Sequence, residues 1–272
     1  MVNAEMVDAW FAQGGITGEK RNDHIVTVSA KPEAAESLGL RRENGFRIWS
    51  WVGGRFSVWS AIGLPLAIGL GRETFIDFLR GANVMDKHAL EAPLSENLPV
   101  LMSLLAYWDS TKLEIPSMCL LPYDCRFDMM PAWLQQLEME SLGKTKTISG
   151  EKTVSTRTGQ EIWGGNGNKS QHSFFQWLRE GSWNTSINLV EVKNPGHSHK
   201  KMEKVLSSNV TAQSDALIYR DSHKYFNSLT VISLENLSAN LIGAFLALFE
   251  HKVTFLSFLF NRNSREIARD FF

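Results

Sequence analysis

The amino-acid sequence predicts an α/β protein with a mainly parallel sheet, and three observations support that prediction. Short runs of aliphatic and β-branched residues, such as residues 24–30 and 117–122, are typical of strands buried on both faces of a sheet. Longer segments with apolar residues at helical spacing alternate with these runs, which is the pattern of a parallel sheet with crossover helices. No internal repeat or low-complexity linker interrupts the alternation.

In the N-terminal part of the chain, helical spacing and turn residues define the elements. Apolar residues recur on one face of residues 3–13, and Gly14 and Gly15 end that predicted helix. Residues 49–71 are apolar and punctuated by glycine, so we expect a loop that leads into a buried helix. The other elements predicted in this part are a strand at 24–30 and helices at 34–38, 75–82, 86–90 and 97–108.

The C-terminal part continues the alternation. Residues 117–122 form a predicted strand, and a helix over 130–141 should end at Gly143. Residues 253–260 fit either a strand or a continuation of the preceding helix. The remaining predicted elements are strands at 161–163, 187–192 and 230–234 and helices at 173–179, 202–217 and 239–249.

Length, charge and cysteine content narrow the classes of function. The chain has 272 residues, enough for one large domain or two small ones. Its 28 basic and 29 acidic residues give a formal net charge of -1, so the charge does not favour nucleic acid or an anionic membrane as a partner. The spacing of Cys119 and Cys125 fits no zinc or redox motif, and we interpret them as free thiols of a reducing cytoplasm.

The sequence does not show the pattern of a secretory signal or a membrane span. Residues 1–8 lack a basic segment followed by an apolar one. The apolar run 58–70 is too short to cross a bilayer. Residues 241–260 are long enough, but Glu250, His251 and Lys252 lie in the middle of the run. A buried helix that runs into a buried strand is therefore the better interpretation of residues 241–260.

One segment resembles a known protein family over fourteen consecutive positions. Residues 50–63 read SWVGGRFSVWSAIG, which is similar to a signature of the glucose-6-phosphate isomerase family. The resemblance covers nearly all of this chain but only about the second half of a family member. Four further blocks follow in the family's order: GANVMDKH at 81–88, LQQLEMESLGK at 134–144, QHSFF at 171–175 and GAFLALFEHKV at 243–253.

The resemblance implies a phosphosugar-isomerase (SIS-type) fold, a three-layer α/β/α arrangement with a mainly parallel sheet, whose first domain is incomplete. Residues 1–70 would be the remnant of that first domain, and residues 71–272 would be the second domain without its C-terminal end. The strand at 24–30 would then lack the neighbours of a sheet interior, which leaves backbone N–H and C=O groups unpaired. We therefore expect the isolated chain to be poorly soluble and marginally stable.

The resemblance also implies a set of site residues. The family interconverts an aldose and a ketose phosphate, a reaction in which a base moves a proton between neighbouring carbons. Glu140 matches that base, Arg55 matches the arginine that faces the enediolate, and His172 matches the histidine that opens the sugar ring. Because that histidine reaches the active site of the partner subunit in the family, a homodimer is implied. Substrate-binding residues are expected at Gly53, Gly54, Arg55 and Gln171.

Considered without the resemblance, these residue types have ordinary structural explanations. They would be an exposed glutamate before the end of a helix, an arginine in a salt bridge and a structural histidine beside an aromatic pair. The resemblance implies no cofactor and no metal. The other histidines do not show the spacing of metal ligands; they are His24, His88, His197, His199, His223 and His251.

The implied activity is the conversion of glucose 6-phosphate to fructose 6-phosphate, a cytoplasmic step of glycolysis and gluconeogenesis. The family's Ser/Thr-rich phosphate loop would precede Asn3, and no residue after Lys252 matches its catalytic lysine. Near the site, Leu142 replaces an asparagine, and Lys169 stands at another position where the family has asparagine. We therefore expect negligible turnover by this chain alone. The alternative is a non-catalytic phosphosugar-binding module or an inactive remnant.

Overall fold

The computed structural model describes residues 2–152, 158–196, 198–219 and 225–262. The chain divides into two units, Met1–Gly71 and Arg72–Phe272. The elements of the first unit are α1 (Val2–Gln13), β1 (Thr27–Ser29), α2 (Pro32–Glu36), β2 (Gly45–Arg47) and α3 (Leu64–Leu70), joined by loops and 3₁₀ turns.

A two-stranded parallel sheet forms in the first unit, with Thr27 of β1 opposite Gly45 of β2. The guanidinium of Arg21 holds the surrounding segments together. It forms an ion pair with Asp8 of α1 (N–O 2.6 Å) and donates to the Leu38 carbonyl oxygen at 2.6 Å. Strand β1 thus has one paired edge, formed with β2, which follows it in the chain. It was expected to lack the neighbours of a sheet interior, and among the described residues one neighbour is present while the other edge has no strand partner in this sheet. Strand β2 was missed because three residues are too short to show an alternating pattern.

The loop predicted within residues 49–71 contains 3₁₀ turns at Gly54–Phe56 and Ala61–Gly63 and leads into α3. The prediction that this helix is buried is wrong, since Ile68 of α3 is 74% exposed. An apolar run favours burial, but the first unit has too few packed elements to cover it. Other exposed apolar side chains of this unit include Trp10, Trp49 and Trp51.

The second unit contains a four-stranded, entirely parallel sheet of order β4-β3-β5-β6. Its elements include β3 (Ser117–Pro122), β4 (Glu161–Gly164), β5 (Thr185–Val192), β6 (Asn227–Leu234), α4 (Arg72–Glu91), α5 (Leu98–Thr111), α6 (Met130–Leu134), a π-helical turn (Gln135–Met139), α7 (Glu140–Leu142), α8 (Gly167–Ser170), α9 (Phe175–Glu180), α10 (Lys200–Ile218) and α11 (Ala239–Leu259). The parallel order confirms the predicted α/β class.

Helices cover both faces of this sheet. On one face, the buried side chains of Cys119 and Ile187 pack with Leu178 of α9 and Val210 of α10. The neighbouring residue Met118 points to the opposite face, which α5 and α11 cover. The second unit is therefore a three-layer α/β/α arrangement, as the resemblance implies.

Helix α11 packs along α4 at a close crossing made by glycines. A Cβ on Gly243 of α11 would lie 1.9 Å from the Phe78 carbonyl oxygen of α4, so only glycine fits there. In the described part of the chain, α11 alone has the length and composition to cross a membrane, and half of its apolar window is buried inside the protein. Its packing against α4 and α5 accounts for its apolar composition.

Two predicted interruptions are absent from the second unit. Residues 75–82 and 86–90, predicted as two helices around a turn, belong to the single helix α4. Gly81 lies inside α4, where it serves the close approach of α11. Residues 253–260 continue α11 almost to their end, because buried residues recur every three or four positions there.

Candidate functional site

Arg55 follows two glycines in a 3₁₀ turn of the first unit. It is buried, with 7% of its surface exposed, and its guanidinium carbon lies 5.4 Å from the centre of the Phe56 ring. Ser57 closes the turn by donating its hydroxyl to the Gly54 carbonyl oxygen at 2.6 Å. A buried guanidinium on an ordered turn is suited to stabilising a developing oxyanion.

Gly53 and Gly54, which precede Arg55, leave open space beside the backbone and do not adopt a left-handed backbone conformation. Gly53 has a φ of -77°, and neither Gly53 nor Gly54 is among the residues with positive φ. A Cβ on Gly54 would meet nothing within 4 Å, and one on Gly53 would meet the Phe56 ring at 3.8 Å. The missing side chains therefore leave the backbone accessible, which suits the substrate-binding role predicted for both glycines.

Glu140 lies in the last turn of a continuous helix made of α6, the π-helical turn and α7, the position predicted for it. Its side chain is half-buried, whereas Leu137 and Glu138 are buried. The Gly143 N–H donates to the Met139 carbonyl oxygen at 2.8 Å, where the helix ends. The Glu140 carboxylate therefore stands at the rim of the second unit rather than inside it.

The π-helical turn before Glu140 is anchored at three points. The Gln135 amide donates to the Ile162 carbonyl oxygen at 2.8 Å, and the Ile162 N–H donates to the Met139 sulfur at 3.4 Å. Both backbone groups belong to β4, the strand at one edge of the sheet. On the inner side, the Lys252 ammonium donates to the Glu138 carboxylate at 2.7 Å, and the two side chains are 3% and 2% exposed.

This buried ion pair was not predicted from the sequence. The signal was Lys252 itself, a cation in a mostly apolar helix. It was used only as evidence against a membrane span. Glu138 lies 114 positions away in the chain, so no local pattern could identify it as the partner.

Gln171 and His172 lie in the turn between α8 and α9. Asn166 caps α8 by accepting a hydrogen bond from the Lys169 N–H at 3.2 Å, and the Gln171 amide donates to the Asn168 side-chain oxygen at 3.4 Å. Gln171 is half-buried and His172 is exposed. An exposed imidazole is accessible to a second molecule, which proton transfer across a subunit interface would require.

Glu140 and His172 lie at opposite edges of the same sheet. A Cβ on Gly159, just before β4, would lie 3.2 Å from the Leu142 side chain, so the helix that carries Glu140 ends at the amino edge. His172 follows the end of β4, at the carboxyl edge. Because a strand rises about 3.3 Å per residue, β4 alone separates the two edges by roughly 10 Å. The second unit of one chain therefore does not bring these two side chains together.

A charged cluster lies beside the turn that carries Gln171. The Lys169 ammonium donates to one oxygen of Asp128 at 2.6 Å, and the Asn166 amide donates to the other at 3.0 Å. The hydrogen bond from Lys169 holds the pKa of the Asp128 carboxyl below its ordinary value, and the same bond raises the pKa of the Lys169 ammonium. Lys169 thus ties α8 to the segment before α6.

Two titratable groups in and just after β3, Cys119 and Tyr123, have pKa values that are shifted mainly by burial. Burial raises the pKa of the Cys119 thiol and the pKa of the Tyr123 phenol. Tyr123 also shares a hydrogen bond with the Gln213 side-chain oxygen, to which its hydroxyl donates. Both groups are therefore protonated near neutral pH and are poor candidates for proton transfer.

Within the described residues, no group of three or more His, Cys, Asp or Glu side chains could hold a metal ion. His197 and His223 lie outside those residues. Residues 263–272, part of the segment in which no catalytic lysine was recognised, also lie outside them.

Comparison with known proteins defines the class of this protein. The sequence model of one family, described as phosphoglucose isomerase, matches residues 1–230. That range includes Arg55, Glu140 and His172. Together with the parallel three-layer unit, the match defines an α/β protein of the sugar-isomerase type. The chain belongs to the phosphoglucose isomerase family.

Curated relatives and solved structures agree with this assignment. The chain is 37% identical over 281 residues to a glucose-6-phosphate isomerase of Saccharophagus degradans, covering 94% of this chain and 51% of the relative. It is 34% identical over 276 residues to one of Cupriavidus taiwanensis, with 93% and 49% covered. The chain thus spans about half the length of the curated relatives it matches.

Among crystal structures, a glucose-6-phosphate isomerase from Chlamydia trachomatis superimposes with a TM-score of 0.85 at 30% identity. The superposition covers 97% of this chain and 53% of the Chlamydia chain. A hypothetical protein from Thermus thermophilus gives a TM-score of 0.73 at 26% identity, with 90% and 59% covered. These superpositions confirm the phosphosugar-isomerase type of fold.

Proposed function

We propose that this chain carries part of an aldose–ketose isomerase site that interconverts glucose 6-phosphate and fructose 6-phosphate. One observation carries the proposal. Within the range matched to the family, a buried Arg55 follows two glycines with open space beside them, and a half-buried Glu140 stands at the end of an anchored helix. These are the features that a proton transfer through an enediolate needs.

In the proposed mechanism, Glu140 removes a proton from the carbon next to the carbonyl and returns it to the neighbouring carbon. The Arg55 guanidinium stabilises the negative charge of the enediolate between the two steps. His172 transfers the proton that opens the sugar ring. The proposed substrate contacts are Gly53, Gly54, Arg55 and Gln171.

A homodimer is part of the proposal. Glu140 and His172 lie at opposite edges of the sheet, so a site that uses both needs Glu140 of one copy and His172 of another. The exposure of His172 supports such an arrangement.

We also propose that the protein acts in the cytoplasm, in glycolysis and gluconeogenesis. Both cysteines are free, Cys119 buried and Cys125 exposed, which suits a reducing compartment.

Deuterium exchange tests the proton transfer more sensitively than net turnover. The purified 272-residue chain is incubated with fructose 6-phosphate in D₂O, and deuterium incorporation at C1 is followed by NMR, with a coupled assay for glucose 6-phosphate. Net turnover by this chain is expected to be negligible, so the expected signal is slow incorporation by the wild type and a loss of about 10²–10⁴-fold in Glu140→Gln, which lacks the base. Glu180→Gln is the matched control, because Glu180 is also a glutamate in the last turn of a helix that is followed by a glycine.

The outcomes separate the candidate functions. Incorporation that survives Glu140→Gln would refute the assigned base. Binding of fructose 6-phosphate in calorimetry without any incorporation would favour a non-catalytic phosphosugar-binding module. The absence of both binding and incorporation would identify an inactive remnant.

A further inference from the structure

We infer that the buried Lys252–Glu138 ion pair is a positioning device for Glu140, because it fixes the π-helical turn from which the Glu140 side chain leaves the helix. The inference rests on the proposed role of Glu140 as the base. It assigns Lys252 and Glu138 as positioning residues, which do not themselves touch the substrate.

Stability alone is a weak explanation for this ion pair. Both side chains are almost fully buried, and a buried ion pair can often be replaced by apolar residues of similar volume without loss of stability. Such a pair does restrict the two side chains to one arrangement. Any other packing would leave a buried charge without its partner, which is strongly destabilising. Lys252 is itself held in place, because the Ser103 hydroxyl of α5 contacts the Lys252 carbonyl oxygen at 3.0 Å.

The π-helical turn sets the direction in which Glu140 points. One residue more or less in a helical turn rotates the following residues by about 100° around the helix axis. A conversion of Gln135–Met139 to α-helical geometry would therefore redirect Glu140 from the rim. Because π-helical turns are rare and occur mostly as single turns, often at functional sites, this one needs contacts that hold it.

Those contacts come from two different elements. Gln135 and Met139, at the two ends of the turn, are both bonded to the backbone of Ile162 in β4. Glu138, between them, is bonded to Lys252 of α11. The turn is thus held from the sheet edge and from the helical layer at once. A displacement of about 1 Å in a reacting group can cost about 10²-fold in rate.

The test uses two variants that disturb different anchors. Glu138→Gln/Lys252→Met removes both buried charges together, so that neither is left unpaired. Gln135→Leu removes one contact with Ile162 from an exposed position and leaves the core intact. Tyr123→Phe is the control, because it removes a hydrogen bond from the same unit on the other face of the sheet.

Two measurements on the full chain need no substrate. The ¹³C carboxyl signal of Glu140, assigned with Glu140→Gln, reports its surroundings. Amide hydrogen exchange of residues 139–142 reports opening of the turn. In both anchor variants we expect a shifted Glu140 signal and exchange about ten-fold faster at residues 139–142, with exchange in α10 unchanged. Where the wild type incorporates deuterium into fructose 6-phosphate, the kcat of this exchange should fall in both anchor variants while its KM stays constant.

A Glu140 signal and exchange rates that match wild type in the anchor variants would overturn the inference. So would equal changes in Tyr123→Phe, which would indicate general loosening of the unit. If the double variant does not fold, Gln135→Leu decides the question alone. A wild type that neither binds nor exchanges fructose 6-phosphate would refute the proposed function, whereas the NMR measurements would still test the positioning.

Discussion

Gly81 of α4 lies directly against the backbone of Asn240 in α11, so closely that a Cβ on residue 81 would be 1.7 Å from the Asn240 carbonyl oxygen. The Asn240 amide also donates to the Asp77 carbonyl oxygen of α4 at 3.3 Å. The two helices thus meet backbone to backbone. This crossing fixes α11, the helix that carries Lys252, against the rest of the helical layer.

Replacing Gly81 with alanine should therefore destabilise the second unit. The added methyl group cannot be accommodated without separating the helices, and overpacking of this kind costs about 1–3 kcal/mol or more. Urea unfolding monitored by circular dichroism measures the loss. Asn83→Ala changes an exposed position of the same helix and should stay within about 0.5 kcal/mol of wild type. Equal stability of the two variants would show that the helices can move apart freely.

The Lys169–Asp128 ion pair predicts a pH dependence. Because the pKa of Asp128 is lowered in the folded protein, the pair stabilises the fold above the ordinary carboxyl value of 3.8. That contribution is lost as the pH falls through the lowered folded pKa. In Lys169→Met, NMR should show Asp128 titrating at a higher pH than in wild type. Lys201→Met, which removes an exposed lysine of α10, should leave the titration unchanged. An unaltered midpoint in Lys169→Met would contradict the assigned cause.

The two cysteines should differ sharply in reactivity. Cys119 is fully buried and its pKa is raised by burial, whereas Cys125 is exposed. A thiol reagent such as DTNB should label one thiol of the native chain rapidly and the second only after denaturation. Cys125→Ser should abolish the rapid phase. Rapid labelling of both thiols in the native protein would mean that the central strand β3 opens readily.

The opposite placement of Glu140 and His172 predicts complementation between inactive variants. Where the wild type isomerises glucose 6-phosphate measurably, Glu140→Gln and His172→Gln should each lose that activity. Mixing them under conditions that allow subunit exchange should restore part of the activity, because every mixed dimer contains one site with both wild-type residues. The coupled assay measures this recovery, and sedimentation tests the dimer. If the proposed reaction is active in wild type, a mixture with no recovery would place both residues in a site built by one chain.

Sequence patterns identified most of the second unit because its signals are local. Strand β3 was predicted with its observed bounds, since a continuous apolar run ends at Pro122. The sequence did not show that Gly81 marks a helix crossing, because a glycine in a helix can mark either a break or a close approach by a distant segment. Only the position of Asn240, far along the chain, distinguishes the two.

In the candidate site, too, local features were predictable from the sequence and contacts between distant segments were not. Glu140 and Arg55 could be placed on a helix end and a glycine-preceded turn from the sequence and the family resemblance. The anchors of Glu140 could not, because a Lys252–Glu138 ion pair and a Gln135–Ile162 hydrogen bond depend on tertiary packing. The π-helical turn leaves no sequence pattern of its own, since its residues fit an ordinary helix.

The crossing of α4 and α11 also affects how the chain folds during synthesis. Asp77 and Asn240 are separated by 163 positions, so their contact closes a long loop and forms late. A ribosome adds roughly 5–20 residues per second, so α4 emerges many seconds before the helix that covers it. During that interval the apolar face of α4 and the first parallel strands are open to chaperones and to aggregation. Cells that produce this protein at high rates should therefore depend on chaperones more for its second unit than its modest size suggests.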